Sequence, residues 1–244
     1  MRKSKYLIIN SFYFDFNDDL SEITNVKELF KNQNILDIFR FDKLISIKEN
    51  QFMNKNINFI YLPKNIEKIN FCAFDDNQIE SLDLSNCINL KVIGYGAFAN
   101  NQIKQLKLPD SIKLIDVSAF SSNKIEILDI SNYTKLKAIE FRSFEYNKIK
   151  QLKLPKNIMT IEENAFETNE IEILDLLEYY ELKFIGGDAF LDNPLNEIKI
   201  LDDIYIYYHN KSNIWNTFTK YYNDNNKKAG DYKLENNKWQ WYPL

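Results

Sequence analysis

Catalysis needs a reactive side chain beside a proton carrier, and this sequence offers few of either. It holds one histidine, His209, and two cysteines, Cys72 and Cys87, among 244 residues. No Cys–His or Ser–His–Asp grouping can be built from one histidine in a tyrosine-rich segment. One histidine with two separated cysteines gives no zinc set of the usual nitrogen and sulfur kind. The five glycines, Gly94, Gly96, Gly186, Gly187 and Gly230, form no phosphate-cradling loop. The carboxylate pair Asp75-Asp76 falls in a turn, where solvated charge is the default. The sequence therefore predicts no enzyme, no cofactor and no metal, with His209 an ordinary surface residue and the cysteines unbridged filler.

Recognition chemistry is better represented. At intervals of 22 or 24 residues, one residue lies between two apolar neighbours: Asp37, Tyr61, Asp83, Lys107, Asp129, Lys153, Asp175 and Lys199. Three residues earlier runs a second row, Glu80, Lys104, Glu126, Lys150 and Glu172. Alternate residues of a strand share a face, so the first row points outward when the apolar pair points inward. Phe59, Ile127 and Ile173 then also face out. Opposite charges on neighbouring strands favour the correct register by roughly 0.2–1 kcal/mol per pair, and a slip of one rung would set like charges together. The same rows make a candidate binding face of Phe59, Tyr61, Asp83, Lys107, Ile127, Asp129, Lys153, Ile173, Asp175 and Lys199. Phe59 and Tyr61 either anchor a partner there or pack under an N-terminal cap.

These side chains are positioned by a repeat. Phe52, Phe74, Phe98, Phe120, Phe144, Phe166 and Phe190 recur at 22 and 24 residues in alternation, five of them after an alanine. An asparagine follows three residues on (Asn77, Asn101, Asn123, Asn147, Asn169, Asn193), with Lys55 as the exception. Stacked asparagines would bond one another and the turn backbone. Strand pairs such as Leu82/Leu84 and Leu106/Leu108 come eight and ten residues after a Phe, and pairs three apart, such as Leu90/Ile93, follow. Such self-similarity marks a solenoid whose single rungs cannot fold alone. Pro63, Pro109 and Pro155 close the short rungs and are spaced by 46, so the repeating unit is two rungs.

The unit N-x-I-x-x-L-x-L-P-x-x-I-x-x-I-x-x-x-A-F, as in Asn101 to Phe120, resembles the BspA-like (Treponema-type) leucine-rich repeats. The resemblance covers about 34–201. It implies a right-handed leucine-rich-repeat solenoid with a parallel β-sheet, mostly β and irregular, that serves protein–protein interaction, often as a surface adhesin. The spacing predicts three parts. Residues 1–33 form a helical N-terminal cap, with Asp18 or Asp19 before Leu20, Ile23, Val26 or Lys27, and Phe30 at helical spacing. Residues 34–201 form the repeats. Residues 202–244 form a C-terminal cap with a last strand in 202–210, a helix capped by Ser212, and a hairpin about Glu235–Lys238.

Thirty-one basic against 35 acidic residues give a net charge of −4, which favours neither nucleic acid nor an anionic membrane. The basic start has no cleavage site after its short apolar run, and no stretch approaches a membrane span. The expectation is a cytoplasmic monomer, or a surface or secreted protein if the chain is a fragment. It binds another protein through the outward strand face. The alternatives are adhesion to carbohydrate or host matrix, and self-assembly.

Overall fold

The computed structural model describes residues 5–9, 12–16, 23–28, 35–209 and 213–244. The chain divides into two compact units, Met1–Ile125 and Glu126–Leu244. Both are parallel β-solenoids. In the first, the three-residue strands Ile35–Asp37 and Phe59–Tyr61 pair in parallel, as do Ser81–Asp83 and Gln105–Lys107. The two-residue strands Ser46–Ile47, Lys68–Ile69, Val92–Ile93 and Leu114–Ile115 form a second, four-stranded parallel sheet. In the second unit the short-strand sheet joins Ala138–Ile139, Thr160–Ile161, Phe184–Ile185 and Tyr205–Ile206. Its three-residue strands Ile127–Asp129 and Gln151–Lys153 pair, and Ile173–Asp175 pairs with Glu197–Ile200. Each residue meets its equivalent one period on, as Leu82 meets Leu106 and Ile69 meets Ile93.

The repeated apolar residues fill each coil. Leu36, Leu82, Leu84, Leu128 and Leu174 are buried between outward neighbours, which is the alternation a half-buried strand requires. Every anchor phenylalanine is fully buried. Phe52, Phe74, Phe98 and Phe120 stack with centroids 5.2–5.6 Å apart and planes within 11°. Phe144, Phe166 and Phe190 do the same at 5.8 and 5.4 Å. Centroids this far apart place near-parallel rings in offset contact, which their quadrupoles favour over a direct sandwich.

The asparagines tie each Phe corner to the rung before it. Asn77 donates to the carbonyls of Phe52, Phe74 and Asp75, and its Oδ1 accepts from the amides of Lys55 and Ile57. Asn101 donates to Phe74, Phe98 and Ala99 and accepts from Ile79. Asn123 holds Ile103 and Phe98 in the same way, and in the second unit Asn169 and Asn193 do so for Ile149 and Ile171. The amides bond to backbone, as the corner demands.

A second demand at the corner is conformational. The residues two before and two after each anchor have φ between 47° and 57°: Asn50 and Asn54, Cys72 and Asp76, Gly96 and Asn100, Ser118 and Ser122, Arg142 and Tyr146, Asn164 and Thr168, Asp188 and Asp192. Gly, Asn and Asp tolerate this region, whereas a β-branched residue such as Thr168 does so only under strain.

The long strands pair two by two, and in three of the four pairs the second strand is followed two residues on by a proline, Pro63, Pro109 or Pro155, which has no N–H with which to extend a ladder. In the second unit the amide of Leu154, just before Pro155, donates instead to the Tyr179 hydroxyl at 3.1 Å. The 46-residue period thus appears as pairs of strands.

The ends differ from expectation in part. Ile23–Glu28, expected within a helix, is a strand in an antiparallel sheet with Lys5–Ile9 and Phe12–Phe16. Ile23, Thr24 and Val26 are β-branched, which favours strand over helix once a partner edge is present. The flanks of the expected helix, including Asp18, Asp19, Leu20 and Phe30, lie outside the described residues. Phe14 packs edge-on against Phe41 and Phe52, and Gln51 donates to the Ile23 carbonyl, so this sheet covers the first corner. The C-terminal helix is Ile214–Asp224, with Asn213 as its N-cap; Ser212 lies outside the described residues. Trp215 closes the second Phe stack at 5.0 Å from Phe190. The hairpin Gly230–Glu235/Lys238–Tyr242 pairs antiparallel with Glu197–Ile200 and so covers that sheet edge. The strand expected within 202–210 is reduced to Tyr205–Ile206.

Two substitutions test the corner. Asn101→Ala strips partners from buried amide and carbonyl groups at about 1–3 kcal/mol each, so it is expected to cost about 2–4 kcal/mol in urea unfolding; a loss within error would remove the asparagines from the stability argument. Thr168→Asn relieves a strained φ of 54° and is expected to raise stability by about 1 kcal/mol, whereas an unchanged melting temperature would show the strain to be absorbed elsewhere.

Candidate recognition face

The outward positions of the long strands carry the sequence-predicted site residues. In the first unit Phe59 and Tyr61 are 47% and 54% exposed, so neither is hidden beneath the N-terminal sheet. Ile35, 40% exposed, lies directly opposite Phe59, and Asp37 opposite Tyr61, on the paired strand. The three apolar side chains therefore form one patch. Asp83 and Lys107 are exposed cross-strand neighbours with Nζ and Oδ2 3.8 Å apart, and Lys104 meets Glu80 at 3.2 Å.

In the second unit Asp129 and Lys153 repeat this pair at 3.6 Å. The row then departs from the expected pattern. Lys199 bonds Glu197 on its own strand at 3.2 Å rather than Asp175, and it is half-buried by the hairpin strand alongside. Lys150 meets Glu170 at 3.2 Å rather than Glu126 or Glu172. Ile127 and Ile173 stand out at 59% and 54% exposure. Where the ladder is interrupted between Gln151–Lys153 and Ile173–Asp175, a groove of about 270 Å³ opens, lined by Leu152, Lys153, Ile173, Asp175 and Tyr179 among others. Sequence alone does not reveal it, because it depends on the tyrosine that takes the place of a ladder bond.

Electrostatically the face is self-satisfied. The Ser85 hydroxyl, donating at 2.6 Å, holds the Asp83 carboxyl below its ordinary range, with help from the Ser85 amide and the Lys107 charge. Ser131 does the same for Asp129, with Lys153 beside it. The carboxylate of Glu197 raises the Lys199 ammonium. Cys72 and Cys87 are both free and buried, and desolvation pushes the Cys87 thiol up to about 11, which keeps it protonated and inert.

One grouping escaped the sequence analysis. Glu163, Asp188 and His209 come together in the second unit, with His209 Nε2 at 3.3 Å from Glu163 Oε1. His209 is thus no ordinary surface residue.

Six copies of the BspA type leucine rich repeat region match the chain, over residues 21–136, 91–214 and 130–237. The chain belongs to the BspA-type leucine-rich-repeat family. Its solenoid is of the kind typical of non-catalytic protein-binding and adhesin modules. Among solved structures it is similar to a leucine rich cell surface protein from Faecalibacterium prausnitzii, with 19% identity and a TM-score of 0.62 over 98% of this chain and 62% of that one. It is also similar to the pneumococcal vaccine antigen PcpA, with 17% identity and a TM-score of 0.51 over 84% of this chain and 72% of that one. The functional domain of InlJ from Listeria monocytogenes matches at 16% identity and a TM-score of 0.50, over 72% of this chain and 36% of that one. The chain spans about three fifths of the length of the Faecalibacterium protein. No curated protein sequence matches it.

These likenesses correct the cytoplasmic expectation. The fold is that of a protein described as belonging to the cell surface and of a vaccine antigen. The short apolar run of the first residues was the wrong guide to compartment. No helix among the described residues is long and apolar enough to cross a membrane.

The carboxylates give a direct test. A carboxyl whose folded pKa is depressed adds stability that is present above its unfolded pKa and is lost as pH falls through the folded value. Asp83 and Asp129 are expected to titrate below 3.8 by carboxyl-carbon NMR, and Ser85→Ala should move Asp83 back up. An unmoved Asp83 in that variant would assign the shift to the Ser85 amide and Lys107 instead of the hydroxyl.

Proposed function

We propose that this chain is a recognition module of a bacterial cell surface that binds a protein through the outward face of its long strands. The observation that carries the reading is the patch of Ile35, Phe59 and Tyr61, three large apolar side chains left exposed on adjacent strands of the first unit, whose other outward strand positions are polar. Exposed aromatics on a rigid sheet are suited to act as interface anchors, since they bury large area at little conformational cost. The charged residues are paired with one another, so they fix register and set the rim more than they supply affinity. Ile127, Ile173 and the groove beside Ile173 provide a second apolar contact of the same kind in the other unit. Similarity to a protein described as belonging to the cell surface supports the location.

The test is binding of the purified chain, by surface plasmon resonance, to immobilised extracellular-matrix and host-cell surface proteins. Adhesion of chain-coated beads to epithelial cells is scored in parallel. A Phe59→Ser/Tyr61→Ser variant is expected to bind at least tenfold more weakly, with its circular dichroism unchanged. Ile127→Ser/Ile173→Ser should give a smaller loss. Wild-type binding in both variants, or no binding and no bead adhesion by the wild type, would sink the proposal.

A further inference from the structure

We propose that Glu163, Asp188 and His209 form a site for one divalent first-row transition ion, Zn²⁺ foremost, which pins the segment before the C-terminal helix to the last rungs of the second unit. One ligand atom from each of the three lies within 4.8 Å of the other two. The residues come from successive corners. Glu163 stands three before Phe166, Asp188 two before Phe190, and His209 three after the last short strand, Tyr205–Ile206.

The geometry of the closest pair points to a shared cation. His209 Nε2 is buried, lies 3.3 Å from Glu163 Oε1, and has no hydrogen-bond partner. A buried ring nitrogen facing a carboxylate oxygen without a hydrogen bond is costly, and native structures seldom leave one so. Two ligand atoms on a tetrahedral Zn²⁺, with bonds of about 2.0–2.1 Å, stand about 3.3–3.4 Å apart. The observed spacing therefore suits a pair of ligands as it stands.

The surroundings hold these side chains in place. A Cβ on Gly187 would fall 2.3–2.4 Å from the His209 ring, so the imidazole occupies a slot that only glycine leaves open. Tyr207 packs edge-on against the same ring at 5.0 Å. Asn216, fully buried on the helix, donates to Asp188 Oδ1 at 2.9 Å and accepts the His209 amide at 3.2 Å. One amide thereby orients two of the three residues, as outer-shell partners of metal ligands do. The half-exposed Glu163 side chain leaves a path for the ion and a position for water.

The donor set selects the ion. Imidazole with carboxylates suits Zn²⁺ and its first-row neighbours. Ca²⁺ takes six to eight oxygens and Mg²⁺ near-octahedral oxygen, more than two carboxylates supply. Three protein ligands leave one place in a tetrahedron open.

The experiment uses the full chain, stripped with EDTA and titrated with ZnCl₂ by calorimetry, and with Co²⁺ by visible absorption. The expected result is one Zn²⁺ per chain, a Co²⁺ spectrum of low coordination number, and a melting temperature that rises with Zn²⁺ and falls back on EDTA. His209→Gln and Asp188→Asn are each expected to weaken binding at least tenfold. Asp188 is buried and its variant risks unfolding, so Glu163→Gln, on an exposed side chain, serves as the third probe. Absence of saturable binding, or wild-type binding by both His209→Gln and Glu163→Gln, overturns the site. Stabilisation by acid alone, with no response to Zn²⁺, overturns it in favour of a protonated imidazole held by the two carboxylates.

Discussion

Each full rung turns a corner around a buried phenylalanine, and in every one but the first the buried asparagine three residues later makes that corner possible. A turn this tight leaves carbonyls and amides facing inward, where water does not reach. One asparagine side chain satisfies up to five of them, as Asn77 does, and its partners belong to two consecutive rungs. The bonds that close one turn are therefore the bonds that attach it to the next. Stacked phenylalanines add apolar contact along the same line, but a ring has no donor to set height or rotation. The amide supplies that direction. Two left-handed residues per corner are the conformational cost, and their side chains are free to vary where strain can be borne, as at Arg142, Tyr146 and Thr168.

The corner is uniform, so function has to arise where the repeat is uneven. Unevenness enters through the alternation of 22 and 24 residues. Prolines follow three of the long strands, at Pro63, Pro109 and Pro155, and a tyrosine hydroxyl takes the amide of Leu154 that a continuous sheet would have paired. The sheet then parts into pairs of strands. Charges match within a pair, as Asp83 with Lys107 and Asp129 with Lys153, while the groove lies between pairs. The same two-rung period thus produces both a self-neutral surface and the opening in it.

The period made most of this fold legible from sequence. Phenylalanines, asparagines and inward leucines could be placed because each is repeated seven or so times at a fixed phase. The outward direction of Ile127 and Ile173 followed from strand alternation alone, whereas alternation left open whether Phe59 and Tyr61 lay beneath the N-terminal cap. The ends could not be treated that way. Ile23 and Val26 satisfy a helical spacing, yet both are β-branched and the strand Phe12–Phe16 offers them its edge, which decides for a sheet. His209 was illegible for a different reason, since its partners lie 46 and 21 residues earlier and no motif links them. A signal did exist. The position three before each anchor reads Glu49, Phe71, Tyr95, Val117, Phe141 and Glu163, and then Gly187. A repeat that gives up its side chain at one rung makes room for something from outside the repeat, and the His209 ring is what fills it.

The balance of charges bears on how such a face recognises anything. Long-range steering needs an excess of one sign over distances beyond the Debye length, about 8 Å at physiological salt. Here opposite charges sit within 4 Å of one another on adjacent strands, so their fields cancel before reaching an approaching partner. Association should then be slow and insensitive to salt, and the lifetime of a complex would rest on apolar burial at Ile35, Phe59 and Tyr61. Specificity by shape and apolar contact, on a scaffold kept rigid by its asparagine corners, is what this distribution of residues favours over electrostatic attraction.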